Sequence, residues 1–368
     1  MYAALNDKGH LVYAEQITAE MLALSHKWYC PTCHQAVVFC QGGRKRPYFA
    51  HQNGSCQTIQ ATKRVTRESK RHLAAKRLLG SWLAQQGEVV CLEQAMASDQ
   101  IADVYLAKYH VIIEFQHTPI AQTLLRARHQ LYCQQGYQTL WLMDSQYLTE
   151  KFDSQWKRTL LMYQASRGYY WLGLDVDQQQ FCWQWQLPLV YSRCAYRYQE
   201  QRVDLAALQW RQLLDASFGI LTSREQKTSD VLPFDYATCY AQYLVQYPQV
   251  LQTLYQAGIQ LNQVPKWCLT GRYQCLASRT SGWIWLAWQW GFLQQFVGQS
   301  VVLDAWENYL RRLIEANQLA WSVPPLIENP VQFFHDVCVQ WLQVWMHWGY
   351  IVWETPTSFR VKAVETLR

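Results

Sequence analysis

No uninterrupted apolar run in this 368-residue chain reaches the roughly 20 residues needed to cross a bilayer. The closest run, Gly282 to Phe292, is too short and leads into Gln294 and Gln295. The N-terminus lacks a basic stretch followed by an apolar one, so no secretory leader and no membrane partner are expected. With twelve cysteines and no such leader, the thiols are expected reduced, with a metal site in place of a disulfide framework. The cytoplasm is the expected compartment. No internal repeat is visible, and the glutamine enrichment is compositional only. Acid is nearly missing from one stretch: Arg44 to Arg77 holds ten basic residues and only Glu68 against them. A solvated surface is the ordinary reading of such a run, but this excess suits a polyanionic partner, nucleic acid first.

What is present divides into three segments. Residues 1–61 read as a small module. It begins with a hairpin from Met1 to Tyr13 turning at Asp7-Lys8-Gly9. Cys30, Cys33, His51 and Cys56 follow, spaced as a closed tetrahedral zinc site requires, and structural zinc would supply much of the stability of so small a unit. Cys40 and His34 are substitutes for a ligand, and a metal-free ribbon with incidental thiols is the alternative.

Residues 62–195 read as a mixed sheet flanked by helices. From Thr62 to Gln86 the spacing is helical, ending at Gly87. Val65, Glu68, His72, Ala75, Leu79, Trp82 and Leu83 share one face, while Lys63, Arg67, Lys70 and Arg77 lie opposite. Strands are expected over Glu88–Glu93, Gln100–Ala107 and His110–Gln116. A helix capped at Thr118-Pro119 and closed by Gly136 follows, then a strand over Thr139–Met143. The order is αβββαβ. A hairpin turning at Asp177-Gln178-Gln179 completes the segment. Residues 196–368 read as a mostly helical domain rich in aromatics. Tryptophans at helical spacing, such as Trp285/Trp288 and Trp341/Trp345/Trp348, fit a core better than a base-stacking surface.

The chemistry concentrates in the middle segment. Asp103 and Glu114 each interrupt an apolar strand, and a bare carboxylate in such a place costs several kcal/mol unless satisfied. Alternation points Glu114 and Gln116 the same way. Asp103, Glu114 and Glu68, with a main-chain carbonyl such as that of Phe115, form a set of oxygen ligands suited to Mg²⁺ or Mn²⁺, able to polarise a phosphoryl oxygen and activate water. Solvent-exposed strand ends are the bland alternative. His72, one turn from Glu68, is placed to tune that acid or touch a phosphate, or to be a bonded core histidine. Arg126, Arg128, His129, Gln130 and Tyr132 lie on the helix after the site, either within reach of a DNA backbone or on a wet face.

These motifs together carry a resemblance. Cys-Pro-x-Cys with Tyr-Phe-Ala-His, Glu-Ser-x-x-His, Ala-Asp-Val and Ile-Glu-Phe-Gln occur in the order found in the bacterial competence protein CoiA family. The match covers about residues 1 to 200 and is loose beyond. The middle segment resembles PD-(D/E)xK restriction-endonuclease-like cores. That resemblance implies an α/β (α+β) fold with a zinc-ribbon-like N-terminal module. It also implies Asp103 and Glu114 as ligands of Mg²⁺ or Mn²⁺, with Glu68 in support, and a DNA endonuclease acting in recombination of incoming DNA. Gln116 stands where that superfamily usually has lysine, and a glutamine carries neither charge nor a labile proton. Lys76 is a candidate substitute. The expected catalytic set is Glu68, His72, Asp103, Glu114 and Gln116. Lys63, Arg64, Arg67, Lys70, Lys76 and Arg126 are expected on DNA, branched or single-stranded, and recombination proteins on the C-terminal domain. A non-catalytic DNA-binding adaptor is the competing reading.

Overall fold

The computed structural model describes residues 3–23, 27–30, 34–42, 45–52, 69–96, 100–214, 222–227 and 236–363. Glu68, Lys63, Arg64, Arg67, Cys33 and Cys56 lie outside these residues. The fold is mixed α/β, in two compact units that the chain enters more than once. The first comprises residues 1–150, 172–182 and 202–218, and the second residues 151–171, 183–201 and 219–368.

The first unit begins with a five-stranded antiparallel sheet. Its strands are β1 (Ala3–Leu5), β2 (Leu11–Tyr13), β3 (Trp28–Tyr29), β4 (Ala36–Gly42) and β5 (Lys45–His51), in the order β2-β1-β3-β4-β5. β1 and β2 form the expected hairpin, where Gly9 supplies a φ of +75° that other residues rarely adopt. Trp28, Val37 and Phe49 pack into a core of their own with Ala4 and Val12.

The order αβββαβ follows. Helix α1 (Lys70–Gln85) starts where the Ser69 hydroxyl accepts the His72 main-chain N–H at 3.1 Å, and Gly87 stands just past its end with φ +82°. Strands β6 (Cys91–Ala95), β7 (Ile101–Leu106) and β8 (Val111–Gln116) pair antiparallel. Helix α2 (Gln122–Gln134) crosses to β9 (Gln138–Asp144), which pairs parallel with β8. α2 begins at Gln122 without a side-chain cap, so Thr118-Pro119 precedes the helix instead of opening it. At Gly80 an added Cβ would stand 3.1 Å from the Tyr13 hydroxyl and 3.3 Å from Leu92, so α1 approaches both sheets closely there.

The expected hairpin forms from β10 (Gly168–Asp175) and β11 (Gln180–Trp185), with Gln179 at φ +54° in its turn. Its turn-proximal part, residues 172–182, belongs to the first unit, where Gly173 and Leu174 pair parallel with Met143 and Asp144. Residues 202–214 also pack on this unit, past the expected limit at 195. Trp82 donates its indole N–H to the Leu205 carbonyl at 2.7 Å, and the Trp210 indole donates to Glu88 at 2.8 Å.

The second unit is helical in large part but not wholly. α3 (Gly282–Leu293), α4 (Leu303–Glu315) and α5 (Pro330–His347) are joined by a three-stranded sheet of β12 (Ser300–Val302), β13 (Ile351–Thr355) and β14 (Ser358–Val361). β-branched and aromatic residues around the Pro356-Thr357 turn make that last hairpin. Trp285, Trp306, Trp341 and Trp345 are fully buried, as a core reading requires. Among the described residues no helix is long and apolar enough to cross a membrane.

Candidate active site

Strand register brings three acids into one row. Val104 pairs with Ile113, so continuing that antiparallel ladder sets Asp103 opposite Glu114. On the other side Leu92 pairs with Val104 and Gln94 with Ala102, which sets Glu93 opposite Asp103. Like charges directly opposed across a sheet destabilise it, so this row needs compensation. Each member receives it from a helix.

Asp103 Oδ2 accepts two hydrogen bonds, from the Phe115 main-chain N–H at 3.0 Å and from His72 Nε2 at 2.9 Å. Glu114 is wholly buried. Its Oε1 accepts from Arg128 at 2.8 Å and from the Tyr132 hydroxyl at 2.7 Å. Arg128 also donates to the Ile101 carbonyl, tying the start of β7 to α2. Glu93 sits at a left-handed φ of +53° and pairs with Lys76 Nζ at 2.7 Å. A non-glycine residue held there costs of order 1–3 kcal/mol, a strain that clusters at functional sites.

The two central carboxyls titrate apart. Burial, and then the charge of Asp103, push Glu114 up to about 8, against the pull of Arg128 and Tyr132. Burial alone would raise Asp103 as well. The His72 hydrogen bond outweighs it, with the charges of His72, Lys76 and Arg128, and holds Asp103 below the ordinary carboxylate range. The two carboxyls feel each other's charge, so ionised Asp103 helps to keep the proton on Glu114. Glu114 Oε2 is buried with no protein donor among the described residues. Among the described residues the donors on Asp103 both end on Oδ2, so Oδ1 is left as well. One oxygen from each acid therefore remains for a hard cation, which is the donor chemistry Mg²⁺ or Mn²⁺ takes.

Of the expected catalytic set, the structure brings Asp103, Glu114 and His72 together, while Glu68 lies outside the described residues. Gln116 is buried at the end of β8. Of the expected DNA contacts, Lys70 is exposed and Arg126 half-buried on α2. Lys76 differs. Its ammonium is buried and engaged by Glu93, because residue 76 lies one helical turn from His72 on the sheet-facing side of α1. Arg77 likewise leaves the expected solvent face, its guanidinium standing 5.0 Å over the Tyr13 ring. On α2 the spacing of Leu125, Arg128, His129 and Tyr132 turns that stripe onto the sheet. Arg128 and Tyr132 hold Glu114 instead of forming a wet face. Glu93 escaped the sequence reading because nothing local marks its left-handed turn. Its register partner Asp103 was the available signal.

Of the expected zinc ligands, Cys30 is buried past the end of β3, and His51 ends β5. Trp28 pairs with Val37, which pairs with His51, so both residues stand at the same end of the sheet. Burial lowers His51 from its ordinary value, favouring the neutral imidazole that binds metals.

The helix-flanked sheet and its row of opposed acids lie in a region of the chain that a family model matches. Residues 68–218 match the family model for the competence protein CoiA nuclease-like domain, and residues 13–59 match that for the competence protein CoiA N-terminal domain. The chain belongs to the competence protein CoiA family. The nuclease-like match ends at the same residue as the last segment of the first unit. No curated protein and no solved structure matches the chain.

Proposed function

We propose that the chain is a metal-dependent DNA endonuclease of the PD-(D/E)xK type, acting in the cytoplasm on DNA taken up by competent cells. The observation that carries this reading is the buried carboxyl pair Asp103 and Glu114, titrating apart and leaving one oxygen each without a protein donor among the described residues. A divalent ion bound there supplies Lewis-acid polarisation of a phosphoryl oxygen and lowers the pKa of a bound water. Asp103 and Glu114 are the ligands, with Glu68 in support. Arg128 and Tyr132 fix the Glu114 rotamer, and His72 fixes that of Asp103. Gln116 orients the attacking water. Lys76, whose charge already acts on Asp103, supplies the positive charge that Gln116 cannot. Cys30, Cys33, His51 and Cys56 bind a structural zinc in a ribbon-like N-terminal module. Lys63, Arg64, Arg67, Lys70 and Arg126 bear on the phosphate backbone, and the C-terminal aromatic region receives recombination proteins.

A second reading is a DNA-binding adaptor with a degenerate site. It is favoured by the Arg128 ion pair on Glu114 and by Gln116 itself. Cleavage separates the two. Purified protein is incubated with single-stranded, duplex and branched DNA, with and without Mn²⁺, beside Asp103→Ala and Glu114→Ala. Cutting that needs the metal and falls by about 10³-fold or more in either variant supports the enzyme. Salt-sensitive binding with no cutting in the unaltered protein supports the adaptor.

A further inference from the structure

A second carboxylate cluster lies at the same end of the sheet. Asp144, the last residue of β9, is fully buried. Arg71 donates to its Oδ2 through Nε, and to Oδ1 through a terminal nitrogen at 3.1 Å. His117 Nδ1 stands 3.0 Å from the same Oδ2. The contact follows from register. Gln116 pairs with Met143 in the parallel ladder, so the next residues, His117 and Asp144, leave the sheet side by side. The Gln146 main-chain N–H donates to Asp144 Oδ1 at 3.3 Å, and the Tyr147 hydroxyl to the His117 carbonyl at 2.8 Å. Arg71 is itself held from its other side by Asp177 at 2.7 Å.

This arrangement fixes a tautomer. Asp144 accepts the Nδ1 proton, so the neutral imidazole carries its lone pair on Nε2. His117 is 23 % exposed, and among the described residues no protein group bonds Nε2. The groups facing the ring are Asp144 from β9 and Arg71 from α1, with Asp177 behind Arg71. Arg71 directly precedes His72, the residue that holds Asp103. A single turn of α1 therefore grips both carboxylate clusters.

We propose that His117 is the base of the hydrolysis, oriented by Asp144 and Arg71, an assignment that rests on the endonuclease reading above. One O–H bond of the attacking water breaks and its proton passes to Nε2 as the water oxygen bonds to phosphorus. The P–O bond to the leaving sugar oxygen breaks with its electron pair, and that oxygen takes a proton from solvent. The imidazolium then returns its proton to solvent. Gln116, the preceding residue, can position the water but cannot take its proton.

The test uses the full chain with Mn²⁺ and the same DNA substrates, comparing His117→Gln, His117→Ala and Asp144→Asn over a range of pH. His117→Gln is expected to cut about 10²–10⁴-fold more slowly while binding Mn²⁺ and DNA as the unaltered protein does. Added imidazole is expected to restore part of the cutting by His117→Ala. Asp144→Asn is expected to lose cutting by favouring the other tautomer. ¹⁵N spectra of the metal-free protein above the titration range are expected to place the His117 proton on Nδ1. Cutting by His117→Gln with an unchanged rate and pH profile, or a proton on Nε2, overturns the assignment while leaving the endonuclease standing. No cutting by the unaltered protein overturns both.

Discussion

In the second unit the Trp345 indole donates to Gln289 at 2.7 Å, Trp285 to the Ser278 hydroxyl at 3.0 Å and Trp306 to the Cys338 carbonyl at 3.2 Å. In the first, a wholly buried glutamate faces a buried aspartate, and both lean on cations from two helices. Both units place polar atoms in their interiors. In the second these three indole N–H groups are neutral and each has its acceptor, so burying them costs little beyond the bonds exchanged with water. In the first they are like-charged acids, kept apart in titration by unequal neighbours. A sheet built for stability alone would put apolar residues at Asp103 and Glu114 and gain by it. The endonuclease reading proposed above accounts for acids kept there at that cost.

The sharpest way to break this contrast is to truncate an aromatic. Trp345→Ala removes a fully buried indole and is expected to cost about 3–5 kcal/mol in urea unfolding, with DNA affinity of the folded protein unchanged. A normal unfolding midpoint with weakened DNA binding would make the second unit a contact surface. Lys76→Met is next. It keeps the stem and leaves Glu93, whose side chain is partly open to water, without its cation. A loss of about 1–3 kcal/mol is expected, together with an upward shift of the Asp103 titration followed by NMR. An unmoved Asp103 would show that Lys76 stabilises the helix and nothing more.

The smallest effect sharpens the contrast most. Between the ordinary carboxylate value of 4.5 and about 8, folded Glu114 holds a proton that the unfolded chain has shed. Stability of the metal-free protein should therefore fall as pH rises through that window. Asp103 works in the opposite sense at the acid end, where its contribution is lost as pH falls through its lowered folded value. Glu114→Gln, which keeps an acceptor for Arg128 and Tyr132, should flatten the upper slope and melt a few degrees higher at pH 8. Mn²⁺ should raise the melting temperature of the unaltered protein more at pH 8 than at pH 5, and that of the variant at neither. Parallel slopes in the two proteins would place the proton elsewhere.

The acid pair was legible because period-two alternation is strict and a carboxylate among Val, Ile and Phe is conspicuous. The order of elements through β9 was legible for the same reason. What escaped depends on separations that periodicity does not span. Glu93 and Lys76 meet through a left-handed residue, Asp144 and His117 through a parallel register, and Arg71 and Asp144 across 73 positions. Arg128 and Tyr132 were noticed but left with an open orientation. The stripe that settles it includes His129 and Arg128, which a hydrophobicity pattern counts as polar. The last hairpin, Ile351–Val361, was hidden inside a region whose tryptophan spacing is dominated by helices.

Consecutive side chains at the start of α1 reach in different directions, Arg71 to Asp144 and His72 to Asp103. That turn is hung from the Ser69 hydroxyl. It acts as a clasp: because both contacts start from one helical turn, a rotation that frees one acid must loosen the other. Any load on this turn therefore bears on Asp103 and Asp144 together.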